Sequence, residues 1–329
     1  MLTKLFNSNS VFSYGILIIL AIILWAKAFV NIPVTAESVP ASPLYHFISN
    51  WINDLSVIRG IIALSLIVFE AILINHILSD NDLIPRNSLI AAFIFIIINS
   101  LFINVINLNP VLIANLFIIT ALWLVLKLYE DKDAYSTAFN VGTLISVASM
   151  FYFPSIIFVF LVWVVFIVYR LYKWREWFIV LLGLIIPYVF LGTYYFWNDC
   201  LSTKISIYKE ALLFINFNDF PSGIYIKIVF IFLSLLMLLS VSKLLAVINE
   251  KAIKMRKFLS FMIWFFIFDF ICLNLSNNYG TLGFLMMNIS VSVLLSLFLS
   301  YSKKTKLVEG TLIILLVILI TGRLGFLNF

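Results

Sequence analysis

Long apolar runs recur along this chain about every 25 to 30 residues, and short polar connectors separate them. With 64% hydrophobic residues, 11% charged residues and a mean hydropathy of +1.15, the chain carries more apolar surface than a soluble core can bury. The runs do not alternate as membrane β-strands do, and a span in lipid must satisfy its own backbone polar groups. The sequence therefore predicts an all-α, polytopic integral membrane protein.

About eleven runs reach the length that a helix needs to cross the hydrocarbon core of a bilayer. The connectors between them are too short to hold a soluble catalytic module, so residues 1–329 are predicted to form a single polytopic membrane domain. The predicted spans lie near 13–31, 57–78, 88–106, 110–128, 137–153, 155–171, 176–197, 223–247, 259–275, 281–301 and 307–323.

The basic residues predict an orientation for these spans, because Lys and Arg accumulate in cytoplasmic connectors. A cytoplasmic N-terminus places most of them in inner connectors or at the adjoining span ends, and an odd number of spans then puts the C-terminus in the periplasm. Because the basic residues are scattered, the net charge of +6 reflects topology, and no nucleic-acid partner is expected. The basic residues outside the inner set are Lys27, Arg59, Lys204, Lys209, Lys227 and Arg323.

Two of the predicted outer connectors are long. The first contains a stretch near 43–55 whose apolar residues fall at helical spacing, which is typical of an amphipathic helix lying in the membrane interface. The second long outer loop lies near 198–222. The apolar stripe of the first connector consists of Leu44, Phe47, Ile48, Trp51, Ile52 and Leu55.

Ionisable residues inside spans are costly, and they are candidates for function. Glu70 lies near the middle of the second predicted span, and Asp269 lies near the middle of the ninth. Each could be a protonated or hydrogen-bonded buried carboxyl, or each could belong to an ion or proton relay.

Four cations fall near the predicted outer ends of their spans: Lys27, Arg59, Lys227 and Arg323. They could converge on a lipid phosphate, to which Arg offers bidentate donors and Lys a point charge. They could instead reach to ordinary lipid headgroups.

The remaining polar residues in the runs favour helix packing over chemistry. Asparagines are expected to form hydrogen bonds between helices, and Gly142 and Gly183 are expected to allow close helix approach. No metal-ligand spacing, phosphate-binding glycine loop or nucleophile elbow occurs, and the sequence leaves any cofactor unknown. The asparagines in or beside the runs are Asn99, Asn104, Asn107, Asn109, Asn115, Asn140 and Asn288.

The central third of the chain, roughly 135–197, carries three short sequences: Phe-Asn-Val-Gly-Thr at 139–143, Phe-Tyr-Phe-Pro at 151–154 and Tyr-Lys-Trp-Arg-Glu-Trp at 172–177. In these it resembles an uncharacterised family of multi-pass inner-membrane proteins of Bacteroidota. The resemblance implies a bacterial inner membrane and no known activity.

In overall layout the chain is also similar to the C-type glycosyltransferase superfamily. The similarity implies a polyprenyl-phosphate-linked sugar as substrate at the outer face and an acidic residue in the first outer loop. Glu37 or Asp54 could fill that position. The loop has no paired-acid motif, which departs from the pattern of that superfamily.

These observations favour an inner-membrane, transferase-like protein that acts on a polyprenyl-phosphate-linked sugar or related lipid at the periplasmic face. Asp54 or Glu37 would be the general base, and some of the four outer cations would bind the lipid phosphate. One alternative is a transporter or lipid flippase that uses Glu70 and Asp269. Another is a non-catalytic membrane component of an envelope assembly or secretion machine, with protein partners.

Overall fold

A computed structural model gives the arrangement of the chain. It describes residues 11–30, 42–52, 55–102, 107–130, 134–213, 223–275, 282–302 and 305–323. The described helices are α1 (Val11–Val30), α2 (Pro43–Ile52), α3 (Ser56–Asp80), α4 (Ile90–Leu101), α5 (Pro110–Lys127), α6 (Tyr135–Phe151), α7 (Phe158–Tyr169), α8 (Trp174–Trp197), α9 (Leu201–Leu213), α10 (Ile224–Ile248), α11 (Ile253–Leu275), α12 (Leu282–Tyr301) and α13 (Thr305–Arg323). A short 3-10 helix, Phe153–Ile157, leads into α7.

The helices follow the predicted apolar runs, and each predicted run contains a described helix. Six of the described helices are long and apolar enough to cross a membrane, as expected of a polytopic membrane protein. Helix α1, helix α4, the segment Phe153–Tyr169 and helix α13 have shorter apolar stretches. The number of membrane crossings and their orientation stay predictions. The six long helices are α3, α5, α8, α10, α11 and α12.

Helices α4 and α12 form the centre of the bundle. Every residue of α4 is buried, and nearly every residue of α12 is buried as well. Helix α4 packs against α1, α3, α12 and α13, while α12 also contacts α5, α10 and α11. A helix that is apolar on all sides is stable at such a position because other helices surround it.

Two glycines bring α6 and α8 into close contact, as predicted. A Cβ atom on Gly142 would overlap the carbonyl oxygen of Val180, and a Cβ atom on Gly183 would overlap the carbonyl oxygen of Phe139. Small residues at a helix crossing allow this approach of the two backbones. Away from the crossing, α8 exposes most of its apolar surface.

Hydrogen bonds between distant residues show which helix ends lie together. On one side of the bundle, Tyr225 at the start of α10 donates to the carbonyl oxygen of Leu101 at the end of α4 (3.1 Å). On the other side, Tyr301 at the end of α12 donates to the carbonyl oxygen of Leu83, just after α3 (3.1 Å). The side that contains Tyr225 is the predicted outer side.

The first predicted outer connector contains α2, as expected for the 43–55 stretch up to Ile52. Phe47 and Trp51 are exposed with ring centroids 6.2 Å apart, whereas Leu44 and Ile48 are partly buried against the bundle. Placement in the membrane interface remains a prediction for this helix. The second predicted loop, near 198–222, contains the helix α9, which the sequence does not predict.

Candidate functional site

A set of buried polar side chains joins the central helices on the predicted outer side. Asn288 of α12 donates from its amide nitrogen to the amide oxygen of Asn99 of α4 (3.1 Å). Next to Asn99, Ser100 accepts a hydrogen bond from the indole N–H of Trp25 in α1 (3.2 Å). Asn115 of α5 donates to the carbonyl oxygen of Leu285 (3.4 Å). Hydrogen bonding between helices is thus confirmed for Asn99, Asn115 and Asn288.

Beside this polar set lies a cavity of about 450 Å³ between α10, α11 and α12, which also reaches the end of α4. This volume is in the range of small-molecule and cofactor sites. The lining is almost entirely apolar, and Asn288 and Ser234 are its amide- and hydroxyl-bearing members. The lining residues are Phe102, Phe230, Leu233, Ser234, Met237, Leu238, Val241, Ile263, Phe266, Ile267, Phe270, Phe284, Met287, Asn288 and Val291.

The cavity opens to the exposed surface of the bundle. Of its lining residues, Leu238 is 74% exposed and Phe270 is 47% exposed, whereas Met237 is buried. The lining on α10 runs from Phe230 to Val241, which at helical rise is about 16 Å or roughly half the thickness of a hydrocarbon core. The cavity therefore has the length of one leaflet.

Three aromatic rings surround the end of the cavity nearest the predicted outer surface. Phe102 stacks on Phe284 with ring centroids 6.0 Å apart, and Phe230 meets Phe284 edge-on at 5.6 Å. Such offset and edge-to-face pairs are favourable arrangements for aromatic rings. They fix the relative positions of α4, α10 and α12 at the place where the cavity ends.

Lys227 stands one helical turn beyond the cavity. It precedes Phe230 by three residues and Ser234 by seven, which is the spacing that places residues on one face of a helix. Lys227 is exposed, in the first turn of α10. The cation of Lys227 is thus in register with an apolar cavity, on its predicted outer side.

Of the other three predicted phosphate ligands, the structure describes the side chain of Arg59. Arg59, in the first turn of α3, is only 7% exposed, and its Nε atom has no hydrogen-bond partner among the described residues. Arg59 lies near Tyr45 of α2, which is buried and donates to the carbonyl oxygen of Leu108 (3.0 Å). Lys27 belongs to α1 and Arg323 to α13, but their side chains lie outside the described part of the chain.

The predicted catalytic residues Glu37 and Asp54 lie outside the described residues. The two intramembrane carboxyls are described, and both are fully buried. Glu70 lies on α3 and Asp269 on α11, and neither lines the cavity. Ser290 is close enough to Asp269 to interact with it. The carboxyl oxygens of Glu70 and Asp269 nevertheless have no hydrogen bond of normal geometry to a described donor.

The sequence reasoning missed the cavity. Its lining residues are of the types found in any membrane span, and a Leu or Phe that faces lipid cannot be distinguished in the sequence from one that faces a cavity. Two polar residues in long apolar runs could have indicated it: Ser234, which carries a hydroxyl, and Asn288, which lies at a similar predicted depth in the membrane. Within the described residues there is no cluster of three or more metal-ligating side chains.

Comparison with known proteins gives one family. The sequence model of DUF6427, a family of unknown function, matches residues 1–324. The chain belongs to this family. No curated protein and no solved structure shows significant similarity to the chain. Membership of DUF6427 agrees with the resemblance to an uncharacterised family that the central third of the sequence carries.

Proposed function

We propose that this DUF6427 protein binds a polyprenyl-phosphate-linked sugar or related lipid at the periplasmic face of a bacterial inner membrane and transfers the sugar. The cavity between α10, α11 and α12 is the observation that supports the proposal. In this account it holds part of the hydrocarbon chain of the lipid, and Lys227 contacts the phosphate.

The shape and chemistry of the cavity fit a chain rather than a compact polar solute. Its walls are apolar over about one leaflet in depth, and it opens sideways to the lipid-facing surface, so a membrane lipid enters without leaving the bilayer. Met237 and Met287 are unbranched and polarizable, which suits the irregular outline of a branched chain. The apolar area that the ligand removes from lipid contributes little, so close packing must supply the affinity.

The positive charge of Lys227 at the end of the cavity would bind the phosphate of the headgroup. An alkyl chain that fills the space from Val241 to Phe230 places its polar end near Lys227, one turn further along α10. Lys is a point charge that attracts a phosphate oxygen without fixed geometry. It would also stabilise the charge that develops on the phosphate as it leaves.

The transfer itself would use a carboxylate of the first outer connector. Asp54 or Glu37 would take the proton of an acceptor hydroxyl as that oxygen attacks the anomeric carbon of the sugar. The bond between the sugar and the phosphate oxygen breaks, and polyprenyl phosphate leaves with its electron pair. A normally folded Asp54→Asn protein without transfer activity would support this role. Full activity in both Asp54→Asn and Glu37→Gln would refute it.

A transporter or flippase remains the alternative that the buried carboxyls favour. That account needs Glu70 and Asp269 at one shared pathway. The two residues lie on different helices with different packing partners: α3 contacts α1, α2, α4 and α5, whereas α11 contacts the 3-10 helix, α7, α10 and α12. The cavity fits the lipid-transferase proposal better because neither carboxyl lines it.

The lipid that the protein retains tests the cavity proposal. We expect polyprenyl-phosphate lipids to co-purify with the wild-type protein and to be depleted in Ser234→Trp, which fills the cavity. Ser242→Trp is the matched control, because both serines lie on α10, donate to a carbonyl oxygen three residues earlier and are exposed, but Ser242 is not in the lining. Lipid extraction and mass spectrometry give the amounts. Equal retention by both variants would contradict the proposal.

A further inference from the structure

We propose that the N-terminal turn of α3, with Arg59 as its charged ligand, is a second phosphate-binding site, occupied by the phosphate of a membrane lipid. This inference does not rest on the proposed function. It stands on a different helix, and it would remain if the cavity held only ordinary lipid.

The first observation is a buried cation whose charge lacks a described counter-ion. Arg59 is 7% exposed, and its Nε–H donor meets no acceptor among the described residues. Burying an unpaired guanidinium is costly, and the cost is offset when an anion accepts its hydrogen bonds. Because a guanidinium presents parallel N–H groups, a phosphate is a well-matched acceptor.

The second observation is the end of the helix that carries Arg59. The N-cap residue of α3 is Leu55, whose apolar side chain forms no capping hydrogen bond. The first N–H groups of a helix have no partner within the helix and carry partial positive charge, so a helix N-terminus attracts anions. The backbone and the Arg59 guanidinium therefore favour the same kind of ligand at the same helical turn.

Tyr45 cannot supply the missing negative charge. Its hydroxyl donates to the carbonyl oxygen of Leu108, and burial raises the pKa of Tyr45 to about 12, although the neighbouring Arg59 acts in the opposite direction. The phenol is neutral at physiological pH. It forms part of the wall of the site, beside the guanidinium.

The position of the site favours a lipid as the source of the phosphate. Helix α2, which carries Tyr45, exposes Trp51 beside Phe47, and Trp is enriched where a membrane meets water. The start of α3 lies next to α2, at the end of a long apolar span. Headgroup phosphates lie at the same depth of a bilayer as interfacial Trp side chains.

Ligand-dependent thermal stability of the purified, delipidated full-length protein in a phosphate-free detergent tests this site. The probes are dioleoyl phosphatidic acid and, separately, inorganic phosphate. We expect phosphatidic acid to raise the Tm of the wild-type protein, and its Kd to be about tenfold to hundredfold weaker in Arg59→Met. Arg59→Lys should recover part of the affinity, since it keeps the charge and loses the bidentate geometry.

The matched control is Arg86→Met, just after the opposite end of α3, where the exposed Arg86 pairs with Asp82 (3.1 Å). We expect this variant to bind as the wild type does. An effect of phosphatidic acid alone assigns the site to lipid, and an equal effect of inorganic phosphate assigns it to the soluble ion. Ser234→Trp should keep the response, which separates this site from the cavity.

Two results would overturn the proposal. The first is an unchanged Kd for phosphatidic acid in Arg59→Met. The second is a lower Tm of Arg59→Met in the absence of any phosphate, because that would show that Arg59 already pairs with a group of the protein itself. The proposal predicts the opposite sign, since replacing an unpaired buried charge by Met removes a desolvation cost.

Discussion

The amide groups of Asn99 and Asn288 form a hydrogen bond of 3.1 Å between α4 and α12, the two most deeply buried helices of the bundle. Asn288 also lines the cavity. One polar contact therefore joins the centre of the fold to the candidate lipid site. This hydrogen bond holds the two central helices in register on the predicted outer side.

A double-mutant cycle on this pair should show a positive coupling energy. We expect Asn99→Ala and Asn288→Ala each to lower the free energy of unfolding, with a coupling of about 0.5 to 2 kcal/mol, because the hydrogen bond between the two amides is already lost after the first substitution. Unfolding in mixed detergent micelles gives the values. Asn140→Ala, at an exposed position on α6, serves as the control. Strict additivity of the two single substitutions would contradict the structural role of the bond.

The crossing of α6 and α8 should tolerate no added methyl group. We expect Gly142→Ala to lower the free energy of unfolding by about 1 to 3 kcal/mol, since its Cβ atom would overlap the backbone of Val180. Gly192→Ala is the matched control on α8, because nothing lies within 4 Å of its added Cβ atom. That variant should be neutral or more stable by up to about 1 kcal/mol, owing to the helix propensity of Ala. Similar losses in both variants would refute the close-packing interpretation.

The two free cysteines give a test of orientation in the natural sequence. Cys200 is exposed between α8 and α9, and Cys272 is buried in α11. With the predicted cytoplasmic N-terminus, Cys200 faces the periplasm, so a membrane-impermeant maleimide should label it in intact cells made permeable at the outer membrane only. Cys272→Ser should keep the label and Cys200→Ser should lose it. Labelling only after the inner membrane is disrupted would show that the protein has the opposite orientation.

The buried carboxyls separate the lipid-transferase account from the transporter account. We expect Glu70→Gln and Asp269→Asn to bind and transfer lipid as the wild type does, because neither residue lines the cavity. The amide replacements keep the shape of the side chains, and no described donor forms a well-oriented hydrogen bond to either carboxyl. Lipid retention and sugar transfer are the measurements. Loss of both in either variant would favour a transport pathway through that residue.

Much of the architecture could be predicted from the sequence because a bilayer imposes length and composition on every span. The predicted run 223–247 and helix α10 (Ile224–Ile248) nearly coincide. The run 88–106 was predicted too long, since the described helix α4 ends at Leu101. Full burial of α4 explains the error, because a helix inside the bundle is not required to match the bilayer thickness.

The candidate site was less predictable, for a physical reason. Hydropathy tells whether a residue avoids water, but it does not tell whether the residue meets lipid, protein or a cavity. Leu238 and Leu236 are alike in sequence, yet the first borders the cavity and the second is buried against the bundle. Arg59 was predicted at an outer span end, but its burial depends on the position of Tyr45 and α2, which only the packing reveals.

The most direct test of the account is photo-crosslinking with a polyprenyl phosphate that carries a diazirine in its chain. Peptide mapping of the protein in nanodiscs should place the crosslinks on α10, α11 and α12, and Ser234→Trp should abolish them while Ser242→Trp keeps them. Helix α8 is the internal reference, because it has the smallest buried share of the six long helices and does not line the cavity. Crosslinks that concentrate on α8, or that follow exposed area along the whole chain, would contradict lipid binding in the cavity.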